Sequence, residues 1–562
     1  MPRLVPLFSA FLVSIVPAHG KVVVFWQDGF PTIESQPVSK QTLLQAFGNG
    51  EAIFAGTSDI KKAEALKGAD LLVLPYGSAV PADVWQPIRD YLAGGGNLLT
   101  LGGRPFCVPV TEEDGRFVAG RAQNTYSRQI DILHSYEVPQ KNWVSFDWDE
   151  GFAFPGPAEL RAKRVFVTAL GWGRGAYRGL GFLLNSDGER IAAPVVEEDY
   201  ISQGEGDLKG ARLIFLNFDP EPGYWDSAAG IALIRAAGRR ARQGATFLRI
   251  ELMNATVAEG EVPAATVHLR NVRRQRMGLP QAGTVQVELL SGSEVLSASR
   301  VAFSGSETSK EVMFRRDLPP GLYCVKAKYE EAGETREAYR TGFWVRDEKV
   351  LRSGSALSTG NTYFRKNGAT FLPFGTNYFS TDEFYGGFVE GNAYVWDRDF
   401  AEMEKNGVTY VRTGVWSNHA DLLDRLTGGV KERFLRGLEA YLHAAARHNI
   451  HVNFTFYAFD PQTVRRYPGE ESLQVGPGSN PYTDPVAVQA QKNYVQSVVN
   501  RFRDLPCLSW DLINEPSFSN PRRLWLGNTP NADPTEKAAW NKWLEKRYGD
   551  LRKLSLAWNV TP

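Results

Sequence analysis

The sequence predicts a multidomain chain: a doubly wound α/β domain, an immunoglobulin-like β-sandwich, and the N-terminal half of a (β/α)8 barrel. Three observations carry this. A chain of 562 residues is longer than one core fills, and roughly two to four domains are expected. Apolar runs alternate with helical spacing over residues 21–243, the period changes to two over residues 244–350, and strand and helix alternate again over residues 351–562. Each return to a strand in the last segment is followed by a helix of bundle-like amphipathicity, the rhythm of barrel units.

Composition narrows the function classes. Hydrophobic residues make up 43% and charged residues 22%, ordinary globular values. The 63 basic residues balance the 63 acidic ones, so a broad nucleic-acid or anionic-membrane footprint is not expected. Aromatics reach 12%, including 14 Trp and 21 Tyr, which suits both sugar stacking and β-rich cores. Residues 1–20 read as a signal peptide: Arg3, an apolar run over residues 4–16, then Ala18-His19-Gly20. That run is too short to span a bilayer, and no later run approaches such a length. A secreted or periplasmic protein without a membrane span is therefore expected. Cys107, Cys324 and Cys507 lie far apart, with neither metal-ligand spacing nor a disulfide framework, and no cofactor fingerprint is found.

In the first segment, Val22-Val23-Val24-Phe25 and Leu71-Leu72-Val73-Leu74 read as buried parallel strands. Residues 83–93 have helix spacing, Gly94-Gly95-Gly96 stops them, and Leu98-Leu99-Thr100-Leu101 is the next strand; Ile214-Phe215-Leu216-Asn217 is a late one. The runs Leu-Val-Leu-Pro and Gly-Gly-Gly-Asn-Leu-Leu-Thr-Leu-Gly-Gly resemble the flavodoxin-like glutamine-amidotransferase domains. In active members a nucleophilic Cys stands on the turn after the second of those strands. Here that turn is Gly102-Gly103-Arg104, and Cys107 lies too far on. The resemblance implies the scaffold without the activity. It also implies self-association, since related inactive domains help some β-galactosidases assemble.

In the second segment, the alternating runs at 247–252, 266–269 and 284–289 are half-buried strands, and Pro319-Pro320-Gly321 is a turn into another. A spacer role is expected, because no surface row of aromatics marks a glycan-binding face.

In the third segment, strands are expected at 371–378, 408–412, 451–459 and 507–514, with helices at 400–406 and 434–448 and a third opened by Asp484-Pro485. That third helix should bury Tyr494, Val495, Val498, Val499 and Phe502. Barrel sites lie at the C-terminal ends of strands. Asn377 with Tyr378, Arg412 with Trp416, Tyr457, and Asn514 with Glu515 occupy those ends. A carboxylate at the exit of an apolar strand is costly unless it does chemistry, and Pro516 ends the ladder behind it.

Trp-Asp-Leu-Ile-Asn-Glu-Pro at 510–516 resembles the fourth strand of the retaining barrel glycoside hydrolases, the superfamily of cellulases, mannanases and β-galactosidases. The tail over residues 540–558, rich in Trp, is similar to a segment following that strand in β-galactosidases. The resemblance covers roughly the last two hundred residues. It implies Glu515 as acid/base, Asn514 as the partner of the sugar 2-hydroxyl, and Arg412 as support for the nucleophile. Asn377, Tyr378, Trp416, Tyr457 and Trp525 are the expected carbohydrate contacts, while His419 and His451 are expected to stand aside and Asp511, on the strand body, to be structural. Retention needs a second carboxylate about 5–5.5 Å away, which that superfamily carries on its seventh strand. Four units leave two unpaired edges, so the sequence is expected to be part of a longer protein. A non-catalytic glycan-binding or assembly protein with a degenerate barrel is the alternative. An amidotransferase or protease on the first domain is a third, opposed by Gly102-Gly103.

Overall fold

The computed structural model describes residues 21–62, 64–149, 160–170, 176–201, 208, 210–276, 280–331, 334–379, 388, 391–414, 429–458, 480, 482–483, 485–516 and 534–561. The expected signal peptide, Trp416, His419, Asp484 and Trp525 lie outside these residues.

The first elements are β1 (Lys21–Phe25), α1 (Lys40–Phe47), β2 (Ala52–Ala55), α2 (Thr57–Lys61), β3 (Ala69–Leu74), α3 (Trp85–Ala93), β4 (Asn97–Leu101), β5 (Arg190–Asp199), β6 (Arg212–Leu216) and α4 (Ala228–Arg242). One mixed sheet runs β2-β1-β3-β4-β6-β5 and continues through Ala176–Leu184 to Ser145–Trp148. The strands from β2 to β6 are parallel, and β5 joins antiparallel. Alternation sends Val22, Val24, Leu71, Val73, Leu99 and Leu101 to a face covered by α1 and α4. Val23, Phe25, Leu72, Leu74 and Leu98 go to the face covered by α2 and α3. Burial on both faces explains why these strands read as continuous apolar runs.

The strand-helix rhythm stops after β4. Between β4 and β6 the described residues form antiparallel strands and short 3₁₀ turns, including Val108–Glu113, Ile132–Val138 and Ala162–Leu170. The expected helical repeats are absent there among the described residues. Val165-Phe166-Val167-Thr168 is β-branched and aromatic, which favours a pleated surface over a helix.

The sandwich follows. Thr246–Leu252, Ala264–Asn271 and Ser309–Met313 form one sheet; the other includes Gln281–Ser291, Gly321–Glu331 and β7 (Glu334–Val345). Their inward residues, among them Ile250, Val267, Val287, Val325 and Phe343, share one core.

A charged knot joins the two sheets. Glu197, Glu198 and Asp199 are consecutive on β5, and none is more than 2% exposed. Alternation splits them. Glu197 and Asp199 meet three guanidiniums: Arg240 Nε donates to Glu197 at 2.6 Å, Arg178 Nη1 at 2.8 Å, and Arg212 grips Asp199 through Nε and Nη2 at 2.7 and 2.6 Å. Glu337 of β7 completes the knot, 3.0 Å from Arg178 and within 3.5 Å of Arg212 and Arg240. Glu197, Asp199 and Glu337 lie close enough to hold a cation, but three guanidiniums already balance three carboxylates. Burial alone would push the Glu197 carboxyl up; Arg212, Arg240 and Arg178 outweigh it and hold Glu197 well below the usual range.

The last elements are β8 (Gly375–Asn377), α5 (Ala393–Lys405), β9 (Tyr410–Thr413), α6 (Glu432–Arg447), β10 (His451–Ala458), α7 (Pro485–Phe502), β11 (Leu508–Asn514), α8 (Pro534–Tyr548) and α9 (Leu551–Trp558). The four strands form a parallel sheet in chain order. Trp396 and Phe400 of α5, Phe434, Leu438 and Tyr441 of α6, and Tyr494, Val498 and Phe502 of α7 cover one face through Val411, Val452, Phe454 and Phe456. Val495 and Val499 pack at the edge of this core.

Two expected elements shift. The strand expected over 371–378 is split: Ala369–Phe371 closes a small antiparallel sheet, and β8 has only three residues. Pro373 cannot donate to a ladder, and Leu372 and Phe374 on either side are 68% and 63% exposed. The helix expected at 400–406 begins instead at Ala393, where the Asn392 side chain accepts from Val395 N–H. Tyr394, Val395 and Trp396 disguise that start, being weak helix formers. On α6, His443 Nδ1 donates to the Glu439 carbonyl at 2.8 Å and Nε2 accepts from Asp347 N–H at 3.0 Å, which fixes a neutral ring. That ring stacks on Trp344 of β7 at 4.8 Å and ties the sandwich to the parallel sheet.

Two outcomes follow for the knot and its neighbour. Arg212→Met leaves Asp199 buried and unpaired, and chemical denaturation is expected to show a loss of about 3–5 kcal/mol. Glu198 faces the apolar side, where burial, reinforced by Asp131 and Asp199 against a Tyr200 hydrogen bond, pushes its carboxyl from 4.5 up to about 8. The folded state then holds a proton that the unfolded state releases between those values. Its contribution is whole below 4.5 and falls as pH rises, by about 1.4 kcal/mol per unit at most, until 8. Glu198→Gln is expected to flatten this slope, with its advantage in Tm over wild type growing from pH 5 to 8.

Candidate functional site

The parallel sheet has two chemically distinct faces. Helices cover Phe454, Phe456 and Trp510, with Phe456 stacked on Trp510 at 5.5 Å. The other face carries polar residues at period two: Asn453 and Thr455 on β10, Ser509 and Asp511 on β11. The parallel register aligns Asn377, Arg412 and Asn453 in one row and Thr455 with Asp511 in the next.

Arg412 bridges these rows. Its Nε donates to Thr455 Oγ1 at 3.0 Å and to Asp511 Oδ2 at 3.1 Å. Nη2 donates to the same Asp511 oxygen at 2.5 Å, and Nη1 donates to Asn514 Oδ1 at 2.8 Å. Thr455 Oγ1 donates to Asp511 Oδ2 at 3.0 Å. The side chains of Arg412 and Asp511 are 26% and 29% exposed, so the pair is partly screened. Arg412 engages the Asn514 side-chain oxygen, which leaves the amide nitrogen as a donor for another acceptor.

Glu515 follows at once. It is exposed, and its φ of 50° is left-handed, a conformation that costs a non-glycine residue of the order of 1–3 kcal/mol. The strand therefore ends at Asn514, as the Asn-Glu-Pro pattern leads one to expect, and the left-handed step breaks the alternation that would put neighbours on opposite faces.

The remaining expected site residues divide. Asn377 is exposed on the edge strand β8, level with Arg412. Tyr378 turns toward the helices: its hydroxyl donates to Asp399 of α5 at 2.7 Å and its ring packs on Phe400 at 5.5 Å. Tyr457 is 4% exposed, lies 5.6 Å from Tyr494, and donates to the Gln491 carbonyl of α7 at 3.3 Å. Tyr457 is a packing residue here, not an open stacking platform, because α7 supplies its partner, while Tyr378 stays partly exposed. His451 is buried at the opposite end of β10, stacked on Tyr410 at 5.6 Å, and burial lowers its pKa to about 4. Asp511, expected to be structural, anchors Arg412. The signal that reveals it is the period-two polar stripe shared by Asn-Phe-Thr at 453–455 and Ser-Trp-Asp at 509–511.

At the first sheet, the resemblance to amidotransferases would put a nucleophile at Gly102 or Gly103. A Cβ there would lie 2.1 Å from Ser35 Oγ or 2.4 Å from the Ser78 nitrogen, so no side chain fits. Cys107 is 4% exposed, and burial pushes its thiol up against the pull of Arg104, the reverse of an activated nucleophile.

No protein-family model matches the chain, and no curated protein matches it in sequence. Solved structures with a partial likeness include glycoside hydrolases. A glycosyl hydrolase family 2 member from Bacteroides cellulosilyticus is 15% identical over 48% of this chain and 30% of its own, with a TM-score of 0.19. Gan42B, a GH42 β-galactosidase from G. stearothermophilus, is 12% identical over 53% of this chain and 40% of its own, with a TM-score of 0.25. The CARDB domain of a Pyrococcus furiosus protein, in complex with di-metal ions, is 17% identical over 18% of this chain and 89% of its own, with a TM-score of 0.15. The chain thus spans less than half the length of either hydrolase. Among the described residues no helix is long and apolar enough to cross a membrane.

A double-mutant cycle tests the Arg412–Asp511 contact. Urea denaturation of Arg412→Ala, Asp511→Ala and the double variant is expected to give a coupling of about 0.5–3 kcal/mol. A coupling within error of zero would mark the pair as a screened surface contact.

Proposed function

We propose that the parallel sheet of β8 to β11 is part of a glycoside hydrolase barrel, and that its polar face and strand ends form the acid/base side of a site for β-linked oligo- or polysaccharides. The observation that carries this reading is the Arg412 guanidinium of β9, which reaches past β10 and forks between Asp511 and Asn514 of β11, with Glu515 next on a left-handed turn. In this reading Glu515 gives its proton to the glycosidic oxygen and later takes one from water, which is the two-step course of retention. Asn514, its oxygen held by Arg412, offers its N–H₂ to the sugar 2-hydroxyl. The nucleophilic carboxylate is assigned to no residue of this chain. Asn377, Trp416 and Trp525 remain the proposed sugar contacts.

The same reading covers the rest of the chain. Residues 1–20 are a signal peptide and the protein is secreted or periplasmic. Residues 21–243 are an amidotransferase-like, flavodoxin-like scaffold without its nucleophile, which contributes to self-association; the parallel order β2-β1-β3-β4-β6 supports that scaffold. Residues 244–350 are an immunoglobulin-like spacer, and no cofactor takes part.

The test is hydrolysis of a natural β-linked oligosaccharide and of an aryl β-glycoside by the full-length protein, wild type and Glu515→Gln. The variant is expected to lose about 10²–10⁴-fold in kcat on the natural substrate. The loss should be smaller on the aryl glycoside, whose leaving group needs less protonation. Equal turnover of the natural substrate by both proteins would sink the assignment.

A further inference from the structure

The mixed sheet changes direction between β1 and β3: from β1 the chain passes outward to β2, then back across to β3 and β4. In open α/β sheets the crevice beyond the strand ends at such a reversal is where ligands bind. Three segments meet at this crevice. The loop after β1 brings Glu34, the loop after β3 brings Gly77 and Ser78, and the turn after β4 brings Gly102, Gly103 and Arg104. Ile33 and Gly77 pair across the gap.

The Glu34 carboxylate is held as a bound oxyanion is held. Ser78 Oγ donates to Oε2 at 2.5 Å. Arg104 donates Nε to Oε2 at 2.8 Å and Nη2 to Oε1 at 2.7 Å, a two-pronged grip. The Arg104 backbone N–H fixes the Ser78 hydroxyl at 2.6 Å. Arg164 stands 4.0 Å from Oε1 and is steadied by Asp219 at 3.0 Å. The Phe166 ring lies against both guanidiniums, 5.9 Å from Arg104 and 5.5 Å from Arg164. Burial alone would push the Glu34 carboxyl up, but the Arg104 and Ser78 hydrogen bonds lower it, so it is an anion.

Two further features accompany this grip. Glu34 has a φ of 54°, so the carboxylate is delivered from a strained backbone. Next to Phe166, whose N–H donates to its carbonyl at 2.8 Å, Asn217 is wholly buried, and neither end of its side-chain amide has a hydrogen-bond partner. A buried amide unmatched at both ends is costly unless something polar reaches it.

We propose that Ser78, Arg104 and Arg164 form an oxyanion-binding pocket at this crevice, that Glu34 occupies it as a tethered ligand, and that a small carboxylate or phosphate takes the same seat when the loop over residues 26–39 lifts. Ligand and loop then compete for one position, and occupancy of the pocket is coupled to the conformation of that loop.

The experiment uses the full chain carrying Glu34→Gly, since glycine suits the left-handed backbone. Inorganic phosphate and acetate are titrated by calorimetry and by thermal shift, with chloride at matched ionic strength as the control. Saturable binding is expected, about 10-fold or more tighter than in wild type, where the ligand must displace Glu34. Adding Arg104→Ala to Glu34→Gly is expected to abolish it. Glu34→Asn, which also tolerates the left-handed region, carries the test if the glycine variant does not fold. A folded variant with no saturable binding of either anion, or with binding that survives Arg104→Ala, overturns the pocket.

Discussion

The rest of the molecule depends on a knot of six charges, five of them almost wholly removed from water. Glu197, Asp199 and Glu337 face Arg178, Arg212 and Arg240, and the mixed sheet, α4 and β7 meet there. A buried ion is tolerable only when its partners are in place and its remaining hydrogen-bonding groups are met. The knot therefore accepts one relative placement of the mixed sheet and β7 and penalises others, whereas an apolar interface would tolerate sliding. From β7 the constraint passes onward through Trp344 to the neutral His443 ring on α6. The parallel sheet that carries Arg412 is thus linked to the knot through packing.

The same logic recurs at smaller scale on β9 to β11. Arg412 is held because Thr455 and Asp511 stand one row ahead, on β10 and β11. A parallel register provides that diagonal. Two strands in line would present Arg412 only to Asn453.

Much of this was legible in the sequence, for identifiable reasons. Strands buried on both faces read as apolar runs, and the glycines at 94–96 marked a helix end that the structure repeats. The end of β11 was legible from Pro516, and the start of α7 from Pro485. What escaped reading had no local signature. The antiparallel strands between β4 and β6 draw their stability from cross-strand partners far away in sequence, and α5 begins with residues of poor helix propensity. Tyr457 stands at a strand end, as an open aromatic would, but is covered by Tyr494 and Gln491 of α7. Asp511 was legible as a structural residue of the strand, but its partner was not, since Arg412 is 99 residues away.

The backbone at Glu515 separates two demands that usually coincide. At φ 50° the chain itself favours glycine or asparagine, and both would relax the turn after β11. A glutamate there goes against the preference of its own main chain. Position 515 therefore has two different best residues, one for durability and one for whatever the carboxylate does, and a stabilising consensus imposed on this protein would erase the second while improving the first.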